Sequence, residues 1–191
     1  GSGVGVFVGV WASEYMEVLR VSPGGRGAFG ATAATCSALC GRISFVLGMQ
    51  GPCVSYDTAC SSGLIASHSG MRALQYDECE TSLAMGVNMI FSPSYSAGNA
   101  FAGMTSSTGK SHTFDKRANG YARCEAVCAI GLTIAEEGAS VDDAGPKVEL
   151  HGSAVRQDGR SASLTAPNGQ AQQGLILAGL ADASITADEL S

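Results

Sequence analysis

The sequence predicts an α/β fold, and three observations carry the prediction. Hydrophobic residues make up 45% of the 191, charged residues only 15%, and there are 26 glycines. That mixture suits a compact domain with buried helices and tight turns, and it argues against disorder. The segment Val4-Gly5-Val6-Phe7-Val8-Gly9-Val10 is apolar on both faces, as a strand in a covered parallel sheet is. Helical segments then separate it from further strand-like runs. The length allows one well-cored domain and is short for two.

The elements follow in order. After the first strand, residues 4–10, a glycine-rich loop from Pro23 to Gly30 leads into a small-residue stretch, Ala31 to Leu47. Its second half, Ser37 to Leu47, reads as a helix ended by Gly48. Gly51-Pro52 is a turn, and Cys53 to Thr58 is a short strand. A helix from Cys60 to Tyr76 has apolar contacts at Leu64, Ile65, Met71 and Leu74. Ser61, Ser62, Gly63, Ala66, Ser67, Ser69 and Gly70 nevertheless dominate it. Each interior glycine costs about 1 kcal/mol relative to alanine. Such a helix makes sense only where neighbours pack close, so it is expected to be the buried central helix.

Ser82 to Phe91 reads as another core strand. Residues 92–125 are rich in Ser, Gly and Asn and too long for a simple connector, which marks them as functional. Ala126 to Ala135 and Lys147 to Ala154 read as strands joined by a polar turn around Asp142-Asp143-Ala144-Gly145-Pro146. A loop, residues 157–167, precedes a helix from Asn168 to Ala181, with Asn168 as its N-cap. Thr186 and Glu189 have capping-box spacing.

Charge and cysteine usage narrow the function classes. The net charge of −6 argues against a general nucleic-acid surface. No apolar run approaches a membrane span, and no charged leader precedes an apolar core. The chain opens directly in a strand and reads as cut from something longer. Its seven cysteines (36, 40, 53, 60, 79, 124, 128) leave one over after any complete pairing, so free thiols in a reducing compartment, the cytoplasm or a plastid, are expected. Cys36/Cys40 and Cys124/Cys128 are each four apart, but structural zinc favours tighter pairs and no histidine stands at ligand spacing. Buried cysteine acting as a small hydrophobe is the expected account of both pairs, and no metal is expected.

The chemistry concentrates in Gly51-Pro52-Cys53-Val54-Ser55-Tyr56-Asp57-Thr58-Ala59-Cys60-Ser61-Ser62-Gly63: strand, sharp turn, cysteine, then a helix opened by small residues. This places the Cys60 thiol at a helix N-terminus, where unpaired N–H groups and the dipole favour the thiolate. The local pattern equally fits a buried structural cysteine with a capping role.

Asp57-Thr58-Ala59-Cys60-Ser61-Ser62 resembles the active-site signature of β-ketoacyl synthases. Gly41-Arg42-Ile43-Ser44-Phe45, Leu47-Gly48 and Gly51-Pro52 resemble the segment these domains carry just before it. Downstream, Phe114-Asp115 and Gly120-Tyr121 fit the connecting loop. Gly152-Ser153-Ala154-Val155, Gln157-Asp158-Gly159-Arg160-Ser161 and Leu164-Thr165-Ala166-Pro167-Asn168-Gly169 are similar to a stretch of modular-type polyketide ketosynthases. The ordered set spans almost the whole chain. The resemblance implies a thiolase-like αβαβα layered fold, mainly its N-terminal half, with residues 1–191 forming a partial ketosynthase domain. It implies a homodimer with the strand before the nucleophile near the interface, and an acyl carrier protein as partner. No bound cofactor is implied, because substrates arrive on the carrier's phosphopantetheine arm. Cys60 would take the acyl group, and a malonyl-type extender would lose CO2 and attack the thioester, in polyketide or fatty-acid biosynthesis.

Some features depart from that pattern. Arg123-Cys124-Glu125-Ala126-Val127-Cys128 stands where the family has a Gly-Glu-Gly run, so its side chains are expected to crowd nearby backbone or need other torsions. Ser106-Ser107-Thr108-Gly109 replaces a Ser-Pro-Asp-Gly turn, and Gly63 replaces a serine. The first two changes bear on the shape of the acyl pocket. The family's two histidine motifs, His-Gly-Thr-Gly-Thr and Asn-Ile-Gly-His, and a nearby lysine lie C-terminal to the matched region. His68, eight residues into the helix and roughly 12 Å along it, His112 and His151 fit neither motif and read as structural. The chain alone is therefore expected to be inactive in condensation. Two other readings are a catalytically silent ketosynthase-like partner that shapes a pocket or supports a dimer, and a thiolase-type enzyme acting on coenzyme A thioesters. Retention of Cys60 argues against the first, and the 157–169 stretch against the second.

Overall fold

Alternation along the first strand decides the architecture. The computed structural model describes residues 2–11, 14–135 and 148–190. In chain order they form β1 (Val4–Val10), α1 (Tyr15–Val21), α2 (Gly30–Ala33), α3 (Cys36–Leu47), β2 (Cys53–Tyr56) and α4 (Ser62–Gln75). There follow β3 (Thr81–Asn88), α5 (Pro93–Phe101), β4 (Ala126–Leu132) and α6 (Gly169–Asp182). The strands form one four-stranded sheet in the order β2-β1-β3-β4. β1 is parallel to β2 and β3, and β4 runs antiparallel to β3.

On β1, Val6 and Val8 pack with Cys40, and Leu39 and Ile43 lie against them, all three from α3. Phe7 points the other way, onto Ala66, Ala73 and Leu74 of α4. α3 and α4 therefore cover opposite faces, which is why β1 reads apolar throughout. The α4 face of β1 carries Gly5, Phe7 and Gly9, leaving room for a close helix. At Gly70 of α4, an added Cβ would stand 2.7 Å from Ser82 Oγ and 3.4 Å from the Phe7 ring. The small residues of α4 are thus a packing surface. Only one side of the helix is buried among the described residues, however: Leu64 is 75% exposed.

Gly48 ends α3 in the left-handed region, at φ 67°, as its sequence position predicts. α5 is an addition to the predicted elements, inside the stretch read as a long functional region. Its start is a side-chain cap: Ser92 Oγ accepts from the Ser94 N–H, and Pro93 fills a first-turn position that needs no donor. β3 ends at Asn88, short of the predicted Phe91.

The chain divides into two compact units, Gly1–Thr133 and Ile134–Ser191. In the second, Asn168 caps α6 by accepting from the N–H groups of Gln170 and Ala171. Thr186 and Glu189 close a capping box. The predicted strand ending at Ala154 is not formed in its described part, residues 148–154. There the Ser153 N–H donates to the Asp182 carboxylate at 2.8 Å, and Gly152 lies against the Ala183 backbone. A side-chain acceptor has replaced a ladder partner. The turn predicted around residues 142–146 lies outside the described residues.

Candidate active site

Residues 57–61 join β2 to α4, and a single hydroxyl organises them. Ser62 Oγ accepts from the Thr58 N–H at 2.8 Å and donates to the Ala59 carbonyl at 2.7 Å. The Ala59 N–H donates to Asp57 Oδ1 at 3.3 Å, and Ser61 Oγ donates to the Thr58 carbonyl at 2.9 Å. These bonds hold Ala59 at φ 53°, a left-handed conformation that an alanine rarely adopts. Its strain, about 1–2 kcal/mol, turns the chain sharply just before Cys60. The cysteine sits in a 3-10 turn, Ala59–Ser61, and α4 proper begins at Ser62 rather than at the predicted Cys60. Cys60 is exposed there, at the amino end of a 14-residue helix. The amino end of a helix is where the aligned backbone dipoles favour negative charge.

The turn is seated on the sheet by glycine. A Cβ on Gly9 would lie 2.3 Å from the Ser62 carbonyl carbon and 2.5 Å from the Gly63 nitrogen. Gly63 in turn faces Gly86 of β3, where a Cβ would stand 3.7 Å from the Gly86 Cα. Glycine on β1, β3 and α4 thus lets the start of the helix rest on the strands.

The other cysteines are placed differently. Cys40 and Cys79 are buried and Cys36 is half-buried, matching a hydrophobe's role for the first pair. Cys124 and Cys128 are exposed, contrary to the expectation: Cys124 precedes β4, and Cys128 lies on β4, whose residues are almost all exposed. Burial pushes the Cys53 thiol up; Ser44 counteracts this and the neighbouring Cys40 adds to it. Burial also pushes the Cys79 thiol up. His68 lies on α4, two turns past Cys60, and His112 in the 102–125 loop. His151 Nε2 is 3.4 Å from Glu149 Oε2, with both side chains largely exposed.

The crowding expected at 123–128 does not occur. Cys124 and Ala126 are exposed, Glu125 Oε1 accepts from the Ile90 N–H at 2.9 Å, and Arg123 turns inward to a site that sequence reasoning missed. There its guanidinium pairs with Glu14 Oε1 and donates to Ser96 Oγ at 2.7 Å. Glu14 Oε2 accepts from the N–H groups of Phe91 and Ser92 at 2.9 and 2.8 Å. Burial raises the Glu14 carboxyl, but Arg123 and the two backbone N–H groups outweigh it and hold it below its ordinary value. The partners are 109 positions apart, and an isolated glutamate carries no signal of burial. The turn of Ser106 to Gly109 survives its changed residues: the Gly109 N–H donates to the Ser106 carbonyl at 3.2 Å, with Gly109 at φ 66°. Among the described residues no group of three or more His, Cys, Asp or Glu side chains could hold a metal ion.

Comparison with known proteins gives this geometry relatives. Residues 1–137 match the family described as β-ketoacyl synthase, N-terminal domain. The chain is 39% identical, over 192 aligned residues, to the type I phenolphthiocerol synthesis polyketide synthase of Mycobacterium bovis, covering all of this chain and 9% of that protein. It is 37% identical to the pikromycin polyketide synthase component PikAII of Streptomyces venezuelae, covering 97% of this chain and 5% of that one. Among solved structures, the oxazolomycin ketosynthase domain OzmH KS7 of Streptomyces albus superposes with a TM-score of 0.83 at 31% identity, over 98% of this chain and 33% of that one. The module 6 ketosynthase of the Bacillus subtilis bacillaene synthase gives a TM-score of 0.78 at 27% identity, over 96% and 30%.

Proposed function

The chain belongs to the β-ketoacyl synthase family and has the thiolase-like α/β fold of ketosynthase domains, and from that premise we propose that Cys60 is the acyl-accepting nucleophile of a polyketide-type condensing enzyme. The observation that carries this reading is the exposed Cys60 on a strained turn at the amino end of α4. Its thiolate attacks the acyl thioester on a carrier protein's phosphopantetheine arm, and the carrier thiol leaves. Backbone N–H groups at the start of α4 offer donors for the oxyanion that forms. In the second half-reaction a malonyl-type thioester loses CO2. The resulting carbanion attacks the acyl-Cys60 carbonyl, and the cysteine departs as a thiolate, leaving the β-ketoacyl chain on the carrier.

The 191 residues contain only His68, His112 and His151, none in a family histidine motif. We therefore assign acyl transfer to Cys60 and expect no condensation by this chain alone. Polyketide rather than fatty-acid assembly is favoured because the similar proteins named above are polyketide synthases. Carrier protein is the expected partner. A homodimer is supported by β2, an edge strand with exposed Cys53 and Val54 at its start. Among the described residues no helix is long and apolar enough to cross a membrane, and free thiols favour the cytoplasm.

The test uses the full-length protein, incubated with acyl-pantetheine thioester and followed by mass spectrometry, then assayed for malonyl decarboxylation and β-ketoacyl formation. Acylation should map to Cys60 and vanish in Cys60→Ala, with condensation lost as well. Condensation by the 191-residue chain alone would overturn the assignment of roles.

A further inference from the structure

Where α3 meets β2, the fold brings two cysteines together that lie thirteen positions apart in sequence. Val6 and Cys53 are register partners on the parallel strands β1 and β2, so their side chains share a face. Val6 faces α3, and Cys40 of that helix packs against it. Cys53 faces the same helix. Ser44, one turn beyond Cys40, donates from Oγ to the Cys53 sulfur at 3.3 Å. The Cys40 thiol is itself in side-chain hydrogen-bond contact with Cys53. The two differ in access: Cys40 is 3% exposed, whereas Cys53 is open to solvent. A dissolved reagent can thus reach one thiol while the other touches it from the core.

We propose that Cys40 and Cys53 are an oxidation-sensitive pair that closes an intrachain disulfide between α3 and β2 on exposure to a peroxide. Cys53 reacts first, because it is the accessible partner. Its thiolate attacks the O–O bond of hydrogen peroxide and becomes a sulfenic acid, and the displaced hydroxide takes up a proton and leaves as water. The Cys40 sulfur then attacks the sulfenic sulfur. Its proton and the expelled hydroxide form a second water, and the two thiols together have given two electrons to one peroxide. Sulfurs in hydrogen-bond contact reach bonding distance by a turn of the side chains and a small backbone shift. Partial desolvation pushes the Cys53 thiol up, the Ser44 hydroxyl pulls it back, and the Cys40 neighbour raises it again. The pair therefore answers sustained oxidant rather than a brief trace of it. Alkylation reads the thiolate alone, but a disulfide also needs a second thiol in contact, and Cys53 has one. Disulfides in reducing compartments are mostly transient or sensing, which suits a bond made and broken in this way. Once closed, it ties α3 to the strand whose end, Tyr56, leads into the turn bearing Cys60. The proposal stands whether or not Cys60 carries an acyl group.

The experiment uses the full-length protein, fully reduced, freed of reductant and treated with hydrogen peroxide. Remaining thiols are blocked with iodoacetamide, and the protein is digested without reductant for mass spectrometry. Cleavage at Arg42 and Asp57 leaves Cys53 on a peptide without any other of the seven cysteines, and fragmentation tells Cys40 from Cys36. The Cys40–Cys53 link should exceed every other pair among the seven by about ten-fold or more, since proximity favours it. It should disappear on treatment with dithiothreitol and be absent from Cys53→Ser. In Cys40→Ala the sulfenic acid at Cys53 should persist and be trapped by dimedone, because the resolving thiol is gone. No link in the wild type overturns the proposal. So does a Cys36–Cys40 link in its place, or Cys53 joined to a second copy of the chain. If Cys40→Ala does not fold, the wild-type map and Cys53→Ser decide the matter by themselves.

Discussion

Gly9 of β1 and Ser62 of α4 are in backbone contact: a Cβ at Gly9 would lie 2.3 Å from the Ser62 carbonyl carbon. The strand and the turn bearing Cys60 are therefore positioned by the absence of a single methyl group. Gly9→Ala should displace the start of α4, because the obstacle is backbone and cannot rotate away. The expected result is a lower melting temperature, with overpacking costing about 1–3 kcal/mol. Cys60 acylation should fall more steeply than global stability accounts for. A Gly9→Ala protein with wild-type melting and acylation would contradict the contact.

Among the seven cysteines, Cys60 should be alkylated fastest by iodoacetamide at neutral pH in the full-length protein. Cys40 and Cys79 are buried, and burial raises the Cys79 thiol; Cys53 is exposed, but partial desolvation and the neighbouring Cys40 raise its thiol despite the Ser44 hydroxyl. Cys124 and Cys128 are exposed but lie off any helix N-terminus, which makes them the informative comparison. Peptide mapping of a time course reads the order directly, and faster labelling at either of those two would count against the assignment.

Gly70→Leu should destabilise the protein although leucine is the better helix former. Even the first added carbon meets Ser82 and Phe7, and Ser82 is fully buried. A loss of about 1–3 kcal/mol in a denaturant or thermal melt is expected. Unchanged or raised stability would mean that α4 does not pack on the sheet at this point.

The Glu14–Arg123 pair should give the fold an acid-sensitive component. Glu14 has a folded-state pKa below its ordinary value of about 4.5. Its contribution is therefore fully present above that value and is lost as pH falls through the lower folded-state pKa. Glu14→Gln should flatten this part of the acid-denaturation curve. With side chains 3% and 9% exposed, the pair is buried, so breaking it from one side at neutral pH should cost about 3–5 kcal/mol. Melting temperature against pH for both proteins tests the sign; parallel curves would refute it.

The parts of the fold legible in sequence are those written in neighbouring residues. Gly48 past an apolar run, Asn168 before α6 and the Thr186–Glu189 spacing each satisfy backbone groups a few residues away, and each cap is found as read. The turn at Cys60 belongs to the same class, since Asp57, Ser61 and Ser62 bond within it. α5 was hidden because Ser, Gly and Asn weaken helix propensity, although Ser92-Pro93 was a start signal in plain view. Residues 148–154 misled for the opposite reason: apolar residues there resembled a strand, but a ladder needs a partner that local sequence does not specify. The Glu14–Arg123 pair was illegible because only the folded chain brings it together.

The alternation of β1 gives its residues two different sets of neighbours. Gly9 faces the turn bearing Cys60, while Val6 and Val8 face α3. An insertion or deletion of one residue in β1 would exchange the two sets and put valine where only glycine fits.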